Sequence, residues 1–181
     1  MWRLRLSDRD IEMVQRITFA RQDKKRRHYV RTKKHDVKRD DFGIAYLGFF
    51  GEVAVARMLC IEPDERVLVG GDGGTDLVFA GRRLQIKTTI SPQTKDWLYV
   101  NNEQAFSPYC HYGILCNIDD YETTVTVRGI IDRQDFIQKS EVKNFGYGER
   151  LAVHSKQLLN MSALIAAAQE PYGVQVGERI C

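Results

Sequence analysis

The sequence predicts an α+β domain built around a mixed sheet. Two observations carry this. Runs rich in Val, Ile, Thr and Tyr mix with helical stripes, without the strict βα alternation of a doubly wound fold. The 181 residues, 43% hydrophobic and 28% charged, suit one substantial core and exclude wholesale disorder. No repeat, low-complexity tract or Pro/Ser linker divides the chain, so residues 1–181 are expected as a single domain.

The elements follow in order. Ser7 with Asp10 three residues on resembles a capping box, and Ile11, Met13, Val14, Ile17 and Thr18 form a helical stripe to about residue 28. Ten Lys or Arg then crowd residues 21–39 against Asp23 and Asp36 alone, so this stretch carries +8 of a net +3 and leaves −5 elsewhere. Residues 1–41 are therefore expected as a basic helical extension. Lys24, Lys25, Arg26, Arg27, Arg31, Lys33 and Lys34 are its candidate contacts to a phosphate backbone, since each neutralised phosphate releases counterions. A merely solvated Lys/Arg-rich helix fits the same run.

A second helix over 42–59 is apolar nearly all round, which places it inside the domain. Its one charge between Asp41 and Arg57 is Glu52, which needs a cation (Arg57 or Arg82, for instance), a metal or hydrogen-bond donors. Strands are expected at 66–69, 75–80, 83–90 and 97–100, the second and third joined by a turn at Gly81-Arg82. A short helix over 102–106 follows, then strands at 112–118 and 123–131 around an Asp119-Asp120 turn. Asp132 reads as the N-cap of a helix holding Phe136 and Ile137. A short run at 151–154 and a helix over 155–168 follow, with an irregular tail expected after Pro171.

Other classes drop out. No apolar stretch reaches the roughly 18 residues of a membrane span, and the first residues lack the apolar run of a secretory signal. A cytoplasmic protein without membrane partners is expected. Cys60, Cys110, Cys116 and Cys181 form no C-x-x-C pair, and Cys110, His111 and Cys116 suit no zinc spacing.

The chemistry concentrates in residues 70–89. Asp76 opens a strand after a Gly-rich turn that also holds Asp72, a turn-shaping residue or a second-metal candidate. On the next strand Gln85 and Lys87, two apart, project from one face, with Leu84 and Ile86 on the other. A hairpin about Gly81-Arg82 would set Asp76 opposite Lys87. Glu52, Asp76 and Gln85-Ile86-Lys87, in this order, resemble the PD-(D/E)XK nuclease superfamily, with Gln for the usual Glu as in Mrr-type enzymes. The bare pattern also occurs at Asp132/Glu141/Lys143 and at Asp8/Gln22/Lys24. Those two lack strand context, the first in a polar stretch and the second in the basic region.

The resemblance implies a restriction-endonuclease-like αβββαβ core and a metal-dependent endonuclease acting on duplex or branched DNA. The chain is small and has no separate recognition domain, so structure-selective or weakly sequence-specific cleavage is expected. It implies Mg²⁺ or Mn²⁺ held by Asp76, the Ile86 carbonyl and Glu52, with Gln85 offering an amide oxygen. Lys87 would orient the attacking water or stabilise the phosphate's charge. Cutting two strands favours a homodimer. The Gln also leaves open a catalytically decayed, DNA-binding relative.

Overall fold

A five-stranded sheet and a three-stranded sheet pack on each other, with three of the helices on the far face of the larger one. The computed structural model describes residues 2–28, 41–68, 74–101, 106, 108–119, 123–146 and 148–169. The larger sheet has the order β1 (Trp2–Arg5), β6 (Thr124–Asp132), β5 (Tyr112–Ile118), β3 (Arg82–Thr89), β2 (Leu77–Phe79). Only β3 and β5 run parallel; the other neighbours are antiparallel. The fold is therefore α+β with a mixed sheet.

Helix α1 (Asp8–Arg27) starts at the expected capping box: Ser7 Oγ accepts from the Asp10 N–H, and the Asp10 carboxylate accepts from the Ser7 N–H. It buries Met13, Val14, Ile17 and Thr18 against α2 (Asp41–Met58). α2 lies on the sheet with Phe49, Phe50, Val53 and Val55 at 0–1% exposure. Each such side chain contributes roughly 1.5–3 kcal/mol by leaving water. Residues 2–28 are thus part of the domain, and the expected extension over 1–41 is corrected to that extent. Trp2–Arg5 is an edge strand and α1 a core helix, because the +8 stretch begins only after the apolar stripe.

The opposite face of the sheet carries a second core of Leu98, Val100, Phe106, Leu115, Ile131, Phe136 and Val153. It is closed by the smaller sheet: β4 (Trp97–Val100), β8 (Glu149–His154), β7 (Glu141–Asn144). The expected strand at 97–100 therefore leaves the main sheet. The expected strand at 66–69 is not formed over 66–68. Those residues instead accept, through the Arg66 and Val67 carbonyls, from Arg21 and Lys24 on α1. Asp132 caps α3 (Arg133–Lys139) as expected, its Oδ1 2.9 Å from the Asp135 N–H.

The helix expected over 155–168 is interrupted. A 3-10 turn at Ser155–Gln157 and α4 (Ser162–Gln169) flank an extended piece, where Leu159 exchanges backbone hydrogen bonds with Ile130. Gly129 lets that piece pass, for a Cβ there would stand 2.5 Å from Leu158 Cβ. The helix expected at 102–106 falls, over 102–105, outside the described residues, as do Asp72 and Asp120. No helix among the described residues is long and apolar enough to cross a membrane.

Candidate functional site

The β2–β3 hairpin turns through Ala80 and Gly81, both with positive φ (47° and 75°), the two-residue turn whose twist suits a hairpin. It pairs Phe79 with Arg82, Val78 with Arg83 and Leu77 with Leu84. The expected turn at Gly81-Arg82 and the Asp76–Lys87 pairing are thereby corrected. Asp76 falls beside Leu84 and Ile86 instead. Its N–H donates to the Leu84 carbonyl at 2.9 Å, and its Oδ2 accepts from the Ile86 N–H at 2.5 Å.

This contact defines the local geometry. β2 pairs with residues 82–84 of β3, and past Leu84 the Asp76 side chain takes up the next N–H of the strand edge. The N–H and C=O of one extended residue point the same way, so the Ile86 carbonyl also faces this edge. Gln85 and Lys87 flank Ile86 and project on the face of the second core. Gln85 is buried at 5% exposure and Lys87 is half-buried. Asp76, the Ile86 peptide and the roots of Gln85 and Lys87 therefore meet at one place.

Glu52 comes from the other side. α2 packs on the Leu84, Ile86 and Thr88 face, and Gly51 stands directly over Thr88. The Glu52 carboxylate lies 3.7 Å from Arg21 of α1, with side-chain exposures of 14% and 24%. The guanidinium of Arg21 also covers the Phe49 ring at 4.3 Å and donates to the Asp64 carbonyl at 2.7 Å. Arg21 is thus a cation opposite Glu52 that lies on another helix, away from the two arginines near in sequence or at the hairpin. Arg57 pairs with Asp10 and Glu62, and Arg82 donates to the Ala167 carbonyl. Arg21 went unread because it sits at the start of the basic run, where any cation looks solvated.

The basic candidates divide. Lys24 donates to the Val67 carbonyl at 2.7 Å and Arg27 pairs with Asp23, while Lys25 is half-buried and Arg26 exposed. Arg31, Lys33 and Lys34 lie outside the described residues. Of the two competing patterns, Glu141 and Lys143 do stand on a strand, correcting the expectation of none. Asp132 is there occupied as the α3 cap and Glu141 pairs with Lys143 at 3.2 Å. Gln22 is buried in α1 and donates to the Asp41 carbonyl.

The donor set near Asp76 suits a hard cation in kind: a carboxylate, a backbone carbonyl and an amide. Among the described residues no group of three or more His, Cys, Asp or Glu side chains gathers. A cluster that sequence reading missed lies along the same strand. The Arg83 N–H donates to His111 Nδ1 at 2.9 Å, the His111 N–H donates to the Arg83 carbonyl at 2.8 Å, and the Arg83 guanidinium lies 6.0 Å from the Tyr109 ring centre. Burial, and then the charges of Arg82 and Arg83, hold His111 below its ordinary pKa. No model of a known protein family matches the chain, and no curated protein matches it.

Proposed function

We propose that this chain is a metal-dependent endonuclease that hydrolyses DNA phosphodiester bonds on a restriction-endonuclease-like core, with structure-selective or weakly sequence-specific cleavage. The observation carrying this is the Asp76 carboxylate against the Ile86 peptide, between Gln85 and Lys87. The order of elements adds support. A buried helix precedes a hairpin, and a later strand returns parallel to the hairpin's second strand.

Asp76 and the Ile86 carbonyl would hold Mg²⁺ or Mn²⁺, with Glu52 reaching the same edge directly or through water. Such an ion supplies charge neutralisation at the phosphate and a more acidic bound water. Gln85 contributes an uncharged oxygen, which leaves the set one charge poorer than a Glu variant and favours Mn²⁺ over Mg²⁺. Lys87 orients the attacking water or meets the charge that grows on the phosphate oxygens. Lys25 and Arg26, on the last turn of α1, extend toward the duplex or branched substrate. A homodimer would present two such sites.

A second reading, a decayed nuclease scaffold that binds DNA, draws on the buried amide of Gln85 in the acidic position. Purified protein decides between them. With Mn²⁺ or Mg²⁺ it should cut DNA, and Asp76→Ala and Lys87→Ala should each abolish cutting while binding persists. Binding without metal-dependent cleavage of duplex, branched or single-stranded DNA would leave only the scaffold reading.

A further inference from the structure

β3 carries an exposed residue at its hairpin end, beyond the second core that covers Gln85. Arg83 lies two residues before Gln85, roughly 7 Å along the strand. It is exposed, and the hairpin sets it opposite Val78, itself 55% exposed. Tyr109, 66% exposed, lies beside the guanidinium, and His111 fixes the Arg83 backbone through two hydrogen bonds. The segment is tied to the loop before Asp76, for Cys110 Sγ donates to the Gly74 carbonyl at 3.0 Å and lies 3.6 Å from Thr75 Oγ1. The result is an exposed strip of Arg83, Tyr109 and His111 at the hairpin end of the strand, with the buried Gln85 between it and Lys87.

Each part has a chemical consequence. An exposed guanidinium offers several N–H donors to a phosphate, and a solvent-facing phenol ring offers a stacking surface to a base. Arg82 and Arg83 place two positive charges beside this segment. An acidic partner would satisfy the arginines but would leave the ring unused. A DNA strand, with phosphate and base in alternation, satisfies both.

We propose that this strip holds the DNA strand next to the scissile phosphate, Arg83 taking the neighbouring phosphate and Tyr109 stacking on its base. The inference rests on the nuclease reading for the position of the scissile phosphate, though not for the binding itself. Arg83 and Tyr109 act here as positioning residues.

The test is equilibrium binding of fluorescein-labelled single-stranded and duplex oligonucleotides in EDTA across a salt series, with the full-length chain. Arg83→Gln should lower the slope of log affinity against log salt by roughly 0.7 for single strands and 0.9 for duplex, one phosphate contact. Arg83→Lys should restore the slope. Tyr109→Ala should weaken binding roughly ten-fold at every salt concentration without changing the slope, and Tyr109→Phe should not. These side chains are exposed, and matched thermal melts separate lost contacts from lost fold. Unchanged affinity and slope in both Arg83→Gln and Tyr109→Ala would overturn the strip, as would a parent chain that binds no DNA at the lowest salt. Cleavage by the parent with unaltered variants retires the strip alone. The predicted binding losses without any cleavage retire the hydrolytic reading alone.

Discussion

Gly51 is where the contact between α2 and β3 can be measured. A Cβ built there would overlap Thr88 Oγ1 and stand 3.1 Å from Thr88 Cβ and Cγ2. Two effects of Gly51→Ala oppose each other. Alanine favours the helix over glycine by about 1 kcal/mol. Overpacking costs about 1–3 kcal/mol, and the upper end applies because the buried rings of Phe49 and Phe50 keep α2 from sliding away. The net expectation is a loss of about 1–2 kcal/mol. Thr88→Ala removes Oγ1 and Cγ2, and Thr88 Oγ1 is a buried hydroxyl with no hydrogen-bond partner among the described residues, so the change alone costs little. In that background Gly51→Ala should become close to neutral, a coupling of about 1–2 kcal/mol in a double-mutant cycle. Urea unfolding of the four proteins, compared at equal m-values, reads it directly. A Gly51→Ala chain that gains the full helical 1 kcal/mol, with no coupling to Thr88, would refute the packing of α2 on β3.

Further outcomes follow from other contacts. Ser7→Ala should destabilise by about 1 kcal/mol, since it removes the side-chain half of the α1 cap; thermal or urea melts check it. Burial raises the Asp10 pKa, but hydrogen bonds from Ser7 and Arg57 outweigh it and hold the carboxyl below its ordinary value. The stabilisation is thus present above the unfolded value of about 3.9 and is lost as pH falls through the folded one. Asp10→Asn should therefore lower stability near neutrality and flatten the acid limb of a stability–pH curve. Arg21→Met takes the cation from Glu52 and a donor from the Asp64 carbonyl, and should cost roughly 3 kcal/mol in urea melts, part of it recovered in Arg21→Met/Glu52→Leu. Cys116 is fully buried and its thiol is pushed up by burial, and Cys110 is buried too. Alkylation of the native protein mapped by mass spectrometry should label Cys60 well before either.

What the sequence made legible is what local chemistry decides. The Ser7/Asp10 box, the all-round apolar helix with Glu52 and the Asp132 cap each follow from a few neighbouring side chains. Register was harder. Gly81 invites a turn starting on itself, yet Ala80 accepts a positive φ before it, which slides Asp76 from Lys87 to Ile86. Sheet membership was harder still. Residues 97–100 have the same pattern whichever sheet they join, and the partner deciding it, β8, lies some fifty residues on. β1 was missed because Trp2–Arg5 alternates apolar with basic residues, which reads equally as a solvated end. The break before α4 was invisible because Leu159 leaves helical geometry only to pair with Ile130.

The shortness of β2 is what makes the nuclease reading geometrically coherent. α2 covers the face of Leu84 and Ile86, whereas Gln85 and Lys87 project on the other. Groups on opposite faces of a sheet are separated by its full thickness unless they meet around an edge. β2 stops at Leu77, and the Asp76 side chain rather than another strand residue takes the Ile86 N–H. That leaves the Ile86 peptide facing a carboxylate at the strand edge, beside the root of Lys87. A β2 extended by two residues would cover the Ile86 peptide with another strand instead of the Asp76 side chain. The tight turn at Ala80-Gly81 bounds β2 at one end, and Asp76 leaves the strand at the other. The chemistry proposed for the site therefore depends on backbone punctuation as much as on its acids.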